Sequence, residues 1–192
     1  MLTYKLIHSL NPQDSSDWEQ LSLAELGENI HPNRVKGFCL AREALRHCFQ
    51  QKGIHLKISE LRLNKYSKVN NQNSLTISLS HTPLCGASVI AESDQITSVG
   101  IDIEPVNRLV KAMILERISH PNDLTLPGIN LWALKEACFK ALMNTEKFNV
   151  PQEFSSLIIS KDKWHHETSS IQGEWSLQEI DGHILALAWI KI

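Results

Sequence analysis

Val99-Gly100-Ile101-Asp102-Ile103-Glu104 alternates apolar with small or acidic residues at the two-residue period of a β-strand. Successive strand side chains point to opposite faces, so Val99, Ile101 and Ile103 share one face while Gly100, Asp102 and Glu104 share the other. The first face packs against a core. The second sets two carboxylates side by side, and acids that close resist joint ionisation unless a cation or strong donors lie between them. The pattern therefore calls for Mg²⁺ or a shared proton. Gly100 leaves room for something bulky to approach the backbone. An edge strand with a solvated polar face would show the same hexapeptide, so the rest of the chain has to decide.

The chain has 192 residues, 42% of them hydrophobic and 21% charged, which is a globular composition with enough length for one good-sized core or two small lobes. A formal charge of -2 excludes a nucleic-acid binder that works by bulk positive charge, so no nucleic-acid partner is expected and any polyanion site must be local. Cys39, Cys48, Cys85 and Cys138 lack metal-ligand spacing and are expected to be buried free thiols in a reducing compartment. Residues 1–7 have neither a charged leader nor the apolar run of a signal peptide, and no segment reaches the length of a membrane span. A cytoplasmic protein with no membrane partner is the expectation.

Working outward from the hexapeptide, strands are expected at residues 2–8, 61–63, 75–79, 87–91 and 96–103. A helix from Ser15 or Ser16 to Gly27 and a long amphipathic one over 33–51 come before them. Beyond Pro105 helical patterns run to Ile118 and over 131–142, then strands over 154–159, 174–180 and 183–190, with Asp181-Gly182 a two-residue hairpin turn. This order gives an α+β fold of two lobes divided near residues 102–108, each with a long helix and about three strands, and a cleft at their interface. Two lobes in one chain make that cleft without a second subunit, so a monomer is expected.

Two further stretches carry chemistry. On a helix over 131–142, Trp132, Glu136 and Lys140 stack on one face, which sets a carboxylate beside an ammonium. Such a pair is common on exposed helices, but Trp132 on the same face argues against full solvation. Ser78-Leu79-Ser80-His81-Thr82 ends a strand with hydroxyls and an imidazole, natural donors to a phosphate. Between residues 34 and 68 nine basic residues face only Glu43 and Glu60, a local excess that points to an anionic partner.

Ser78-Leu79-Ser80-His81-Thr82, Val99 to Glu104 and Trp132-Ala133-Leu134-Lys135-Glu136-Ala137-Cys138-Phe139-Lys140-Ala141, in this order and separation, resemble the three signature blocks of the Sfp-type 4'-phosphopantetheinyl transferases. Ala41-Arg42-Glu43-Ala44-Leu45-Arg46 also resembles the family's first helix, so the likeness spans roughly residues 34–141. It implies two pseudo-duplicated lobes, each a small, mainly antiparallel sheet with a long helix, and an active site at their interface. Residues 1–104 then form the lobe with the coenzyme A phosphate contacts, and 105–192 the lobe with the Trp-x-x-Lys-Glu helix.

The implied activity is transfer of the phosphopantetheine arm of coenzyme A to a serine of an apo acyl or peptidyl carrier protein, with release of 3',5'-ADP. The resemblance puts Asp102, Glu104 and Glu136 around Mg²⁺ and Lys140 beside the leaving phosphate. Ser80, His81 and Lys68 match coenzyme A contacts, and Arg34, Lys36 and Arg42 supply further phosphate contacts. Glu136, or Glu104 where the metal leaves it free, is the candidate base for the serine proton. Arg108, Lys111 and Arg117 join the basic segment as a local field for an acidic carrier.

The family's Gly-Lys-Pro is Ser67-Lys68-Val69 here, Asp123 stands for the acid before the Trp helix, and Leu142-Met143-Asn144-Thr145-Glu146 replaces a glycine-containing loop. A Mg²⁺-dependent phosphohydrolase using the same acids, and a non-catalytic coenzyme A or carrier-binding module, are the rival readings.

Overall fold

The computed structural model describes residues 2–63, 74–145 and 153–192. Lys68 lies outside them. In chain order the elements are β1 (Leu2–Ile7), α1 (Ser15–Leu26), α2 (Pro32–Gln51), β2 (Leu75–His81), β3 (Gly86–Glu92), β4 (Ile96–Pro105), α3 (Ala112–Ile118), α4 (Gly128–Met143), β5 (Leu157–Ser160), β6 (Lys163–His166), β7 (Gln172–Ile180) and β8 (His183–Lys191). The strands form an antiparallel three-stranded sheet, β1-β3-β2, and an antiparallel five-stranded sheet, β4-β8-β7-β6-β5. This is the expected α+β architecture.

Three apolar clusters hold the layers together, and each follows from strand alternation. Ile77 of β2 and Ile90 of β3 turn outward to Phe38, Leu45, Cys48 and Phe49 of α2 and to Trp18 and Leu21 of α1. Ala87, Val89 and Ala91, one step out of phase, turn inward to Val99, Ile101 and Ile103 of β4 and to Leu185 and Leu187 of β8. The outer face of β8, with Ile184, Ala186 and Ala188, receives Leu134, Ala137, Cys138 and Ala141 of α4. Burying each such branched side chain contributes roughly 1.5–3 kcal/mol. The layers therefore run α2, sheet, sheet, α4.

β2 and β4 are the facing edges of the two sheets and are not paired with each other among the described residues. Side chains bridge them instead: the Ile101 amide donates to Ser78 Oγ at 3.1 Å, and the Ser80 hydroxyl donates to Asp102 Oδ1 at 2.7 Å. Residue numbers rise together along the two strands, so they run in the same direction across a seam.

Some boundaries differ from expectation. By sheet membership the chain crosses between layers after Glu92 and before Ile96, because β4 pairs with β8. Residues 61–63 form no strand of either sheet. The helix expected beyond Pro105 is only α3, since Val106 is bonded to the Gly182 carbonyl and the Arg108 amide to Pro105. Residues 154–156 make a single helical turn, and β6, unforeseen, returns on β5 through Asp162 at a φ of 60°. Asp181 and Gly182 have φ of 50° and 71°, the positive pair that the hairpin turn between β7 and β8 requires.

All four cysteines are free and buried, and burial pushes the Cys48 thiol up to about 12 and Cys85 up to about 11, so both stay protonated. Among the described residues no helix is long and apolar enough to cross a membrane.

Candidate active site

At Gly100 the backbone of α4 comes down on β4: a Cβ there would lie 1.9 Å from the Ala137 carbonyl oxygen and 2.6 Å from the Ala141 nitrogen. The bulky neighbour anticipated at this glycine is a helix of the same chain. With α4 that close, the strand's acidic face is sealed, leaving Asp102 4% and Glu104 7% exposed. The solvated edge strand is thereby excluded.

Each acid already has a cation from the chain. Asp102 Oδ1 accepts from Lys140 Nζ and from the Ser80 hydroxyl, both at 2.7 Å, and Lys140 Nζ also donates to the Ile101 carbonyl at 3.0 Å. Asp102 Oδ2 is buried and has no hydrogen-bond partner among the described residues. Glu104 Oε1 accepts from Arg108 and, at 2.8 Å, from the Trp132 indole N–H. The Arg108 guanidinium lies 5.5 Å from the centre of the Trp132 ring.

Glu136 faces both acids from the helix. Burial pushes its carboxyl above the ordinary value most strongly; Lys140 opposes that shift, Asp102 and Glu104 add to it, and Arg108 opposes it. A raised carboxyl is a stronger proton acceptor than an ordinary one once ionised, as a general base near neutrality must be.

On the other side of the seam His81 rests on α2, where a Cβ at Gly37 would meet its Nδ1 at 2.3 Å. Partial desolvation lowers the imidazole's pKa most, the charges of Lys140, Arg42 and Arg34 lower it further, and Asp102 opposes them. The ring is therefore neutral at physiological pH, with cations on three sides. Arg42 lies with its guanidinium carbon 3.5 Å from the centre of the Phe38 ring, and its buried Nε has no partner among the described residues. Burial pulls its pKa down to about 10, with Glu25 and Cys39 opposing, which still leaves it charged.

The structure thus brings Ser80, His81, Arg34, Arg42, Asp102, Glu104, Glu136 and Lys140 to one seam. Lys36, exposed like Arg34, stands two residues on and about 200° round the helix from it. Arg46, Lys52 and Arg62, counted in the basic segment, are paired with Glu43 and Asp14, with Glu92 and with Glu25. Arg108 serves Glu104 as well as the surface.

Other parts went unforeseen. Lys135 is fully buried and pairs at 2.8 Å with Asp123, whose oxygens also accept from the amides of His120 and Ile159. That pair fixes the approach to α4 against β5, a structural use of the acid before the Trp helix. Asn144 Nδ2 donates at 3.1 Å to the carbonyls of both Ile77 and Val99. Extending the 132, 136, 140 series by one more step of four reaches it, and that signal was in the sequence.

Among the described residues no group of three His, Cys, Asp or Glu side chains is gathered to hold a metal ion, so the three acids do not form a cage by themselves. The residues still fit a Mg²⁺ ion, which takes one or two carboxylates with waters and phosphate oxygens, and the orphaned Asp102 Oδ2 is a buried ligand atom with nothing else to bind.

A buried acid pair on β4 thus faces Glu136 and Lys140 of α4 beside the seam between the two sheets. The sequence from Ser98 in β4 to Ala188 in β8, just under half of the chain, matches the model of the 4'-phosphopantetheinyl transferase superfamily. The matched span includes Asp102, Glu104, Glu136 and Lys140, while Ser80 and His81 lie before it. No curated protein matches the chain.

Proposed function

We propose that this protein transfers 4'-phosphopantetheine from coenzyme A to a serine of an apo acyl or peptidyl carrier protein. The observation that carries this is Asp102: it joins Ser80 of one sheet to Lys140 of the helix over the other, inside the matched domain, and keeps one buried oxygen unused.

In the reaction the serine oxygen forms a bond to the β-phosphorus of coenzyme A and the bond from that phosphorus to the bridging oxygen breaks. The leaving group is 3',5'-ADP. Glu136 takes the serine proton, as its raised carboxyl suits. Lys140, held by Asp102 and the Ile101 carbonyl, directs its ammonium at the charge that develops on the departing phosphate. Ser80, His81, Arg34 and Arg42 hold the phosphates from the β2 and α2 side. Mg²⁺, when bound by Asp102 with Glu104 or Glu136, would neutralise the pyrophosphate oxygens. Closure of α4 over β4 keeps water, the competing acceptor, away from the acids.

The test is intact mass of apo carrier proteins from fatty-acid, polyketide and peptide synthesis after incubation with this protein, coenzyme A and Mg²⁺, beside an EDTA control. The expected result is a gain of one phosphopantetheine group that EDTA abolishes and that Asp102→Ala and Lys140→Ala each reduce about a hundredfold or more while remaining folded. Coenzyme A cleavage with no gain on any carrier would make the protein a phosphohydrolase. Bound coenzyme A without turnover would make it a binding module.

A further inference from the structure

We propose that Asn144 is a positioning residue that sets the axial register of α4 on β4 and ties both to β2, and so fixes where Glu136 and Lys140 stand against Asp102. The stripe at 132, 136, 140 and 144 runs antiparallel to β4. Trp132 bonds Glu104, Lys140 bonds Asp102 and the Ile101 carbonyl, and Asn144 bonds the Val99 carbonyl. From Trp132 to Asn144 the helix rises about 18 Å and from Glu104 to Val99 the strand rises about 17 Å, so helix and strand keep step over the run as a whole. Slipping the helix by one residue displaces Lys140 about 1.5 Å, which breaks a hydrogen bond.

Something must hold that register, because the buried contacts of α4 beside Gly100 are mainly alanines, which pack closely and interlock little. The Ser98 hydroxyl donates to the Ala141 carbonyl at 2.5 Å, and the Asn144 amide takes the next position. Its two N–H groups match two carbonyls, Val99 on one sheet edge and Ile77 on the other, where no backbone pairing joins the strands. Among the described residues Asn144, the C-cap of α4, is the one side chain that ties the end of this helix to both β2 and β4. An aspartate of the same shape donates neither bond at neutral pH.

The test compares Asn144→Asp, Asn144→Ala and Asn144→Ser in the full chain, the last retaining one donor so that a folded variant remains if the others unfold. Lysine acetylation by acetic anhydride, read by mass spectrometry, reports position directly. Lys140 is expected to label several-fold faster in each folded variant while Lys163, on a distant strand, is unchanged. Equal labelling of Lys140 in wild type and variants overturns the proposal.

A second readout rests on the proposed transfer. Here kcat is expected to fall about tenfold or more in Asn144→Asp while the KM for coenzyme A stays within about twofold, whereas a purely structural asparagine would lower thermal stability and leave kcat in place well below the melting range. A wild-type protein without transfer overturns the reaction and leaves the labelling result to decide the role of Asn144.

Discussion

α2 and α4 each lie across a strand at a glycine. A Cβ at Gly86 would sit 2.1 Å from the Leu40 carbonyl carbon of α2, and one at Gly100 would sit 1.9 Å from the Ala137 carbonyl oxygen of α4. In both lobes the missing side chain lets a helix backbone touch a sheet. What the contact encloses differs. Beside Gly86, α2 closes a core of Phe38, Leu45, Cys48 and Phe49, and the nearby His81 is the only titratable group of β2. Beside Gly100 the strand continues with an acid at the second and fourth positions, and α4 answers with Trp132, Glu136, Lys140 and Asn144. The same packing device makes a core in one lobe and a dry charged site in the other, according to which side chains flank the glycine.

Substitution at the two glycines breaks this comparison most forcefully. Gly100→Ala and Gly86→Ala each drive a methyl into helix backbone, which cannot rotate away, at a cost of about 1–3 kcal/mol or more. Both are expected to lower the urea midpoint. Their functional effects separate: Gly100→Ala displaces the helix that carries Glu136 and Lys140, so kcat collapses in the folded fraction. Gly86 pairs with His81 across the sheet, so Gly86→Ala is expected to raise the KM for coenzyme A with a smaller change in kcat. Wild-type stability and kcat in Gly100→Ala would mean that close approach is not what builds the site.

Legibility in the sequence followed the same division. The period of two in residues 99–104 and the period of four at 132, 136 and 140 are local patterns, and both faces are where those patterns put them. The pairing of β4 with β8 joins residues 78 to 95 apart and has no local signal, so element order alone does not say to which sheet β4 belongs. β6 was missed because Lys163-Trp164-His165-His166 is short and polar, and its single buried tryptophan does not make a pattern. Lys135 was invisible for a different reason. A lysine beside a glutamate reads as a solvated pair, and only the fold brings Asp123 to it.

A middle-sized effect sharpens what makes the α4 side a site. Glu136 has its carboxyl raised above its ordinary 4.5 chiefly by burial, so the folded state binds its proton more tightly than the unfolded chain does. Ionised Glu136 therefore costs stability above the unfolded pKa, and that cost disappears as pH falls below it. Glu136→Gln is expected to melt higher than wild type at pH 7, with the gain shrinking toward pH 4, and to lose transfer at every pH. A residue that served only the core would show the reverse: a lower melting temperature in the glutamine variant and no loss of turnover.

The smallest effect distinguishes the two sides of α2. Arg34, Arg42 and Lys36 all stand on this helix, but only the charges of the first two act on His81, and Lys36 is turned about 200° from Arg34. Arg42 also has a buried Nε with no partner among the described residues, a donor left for an acceptor at the seam. Calorimetric titration with coenzyme A should show Arg42→Ala weakened several-fold, with a shallower dependence on salt because one fewer charge faces the phosphates. Lys36→Ala should bind within about twofold of wild type, the range of an exposed substitution away from any contact. If the two variants lose affinity equally, the phosphates follow the exposed side of α2 and not the seam. Loss at Arg42 alone would place the anion between the helix that makes a core and the helix that makes a site, beside His81 at the end of the first sheet's edge.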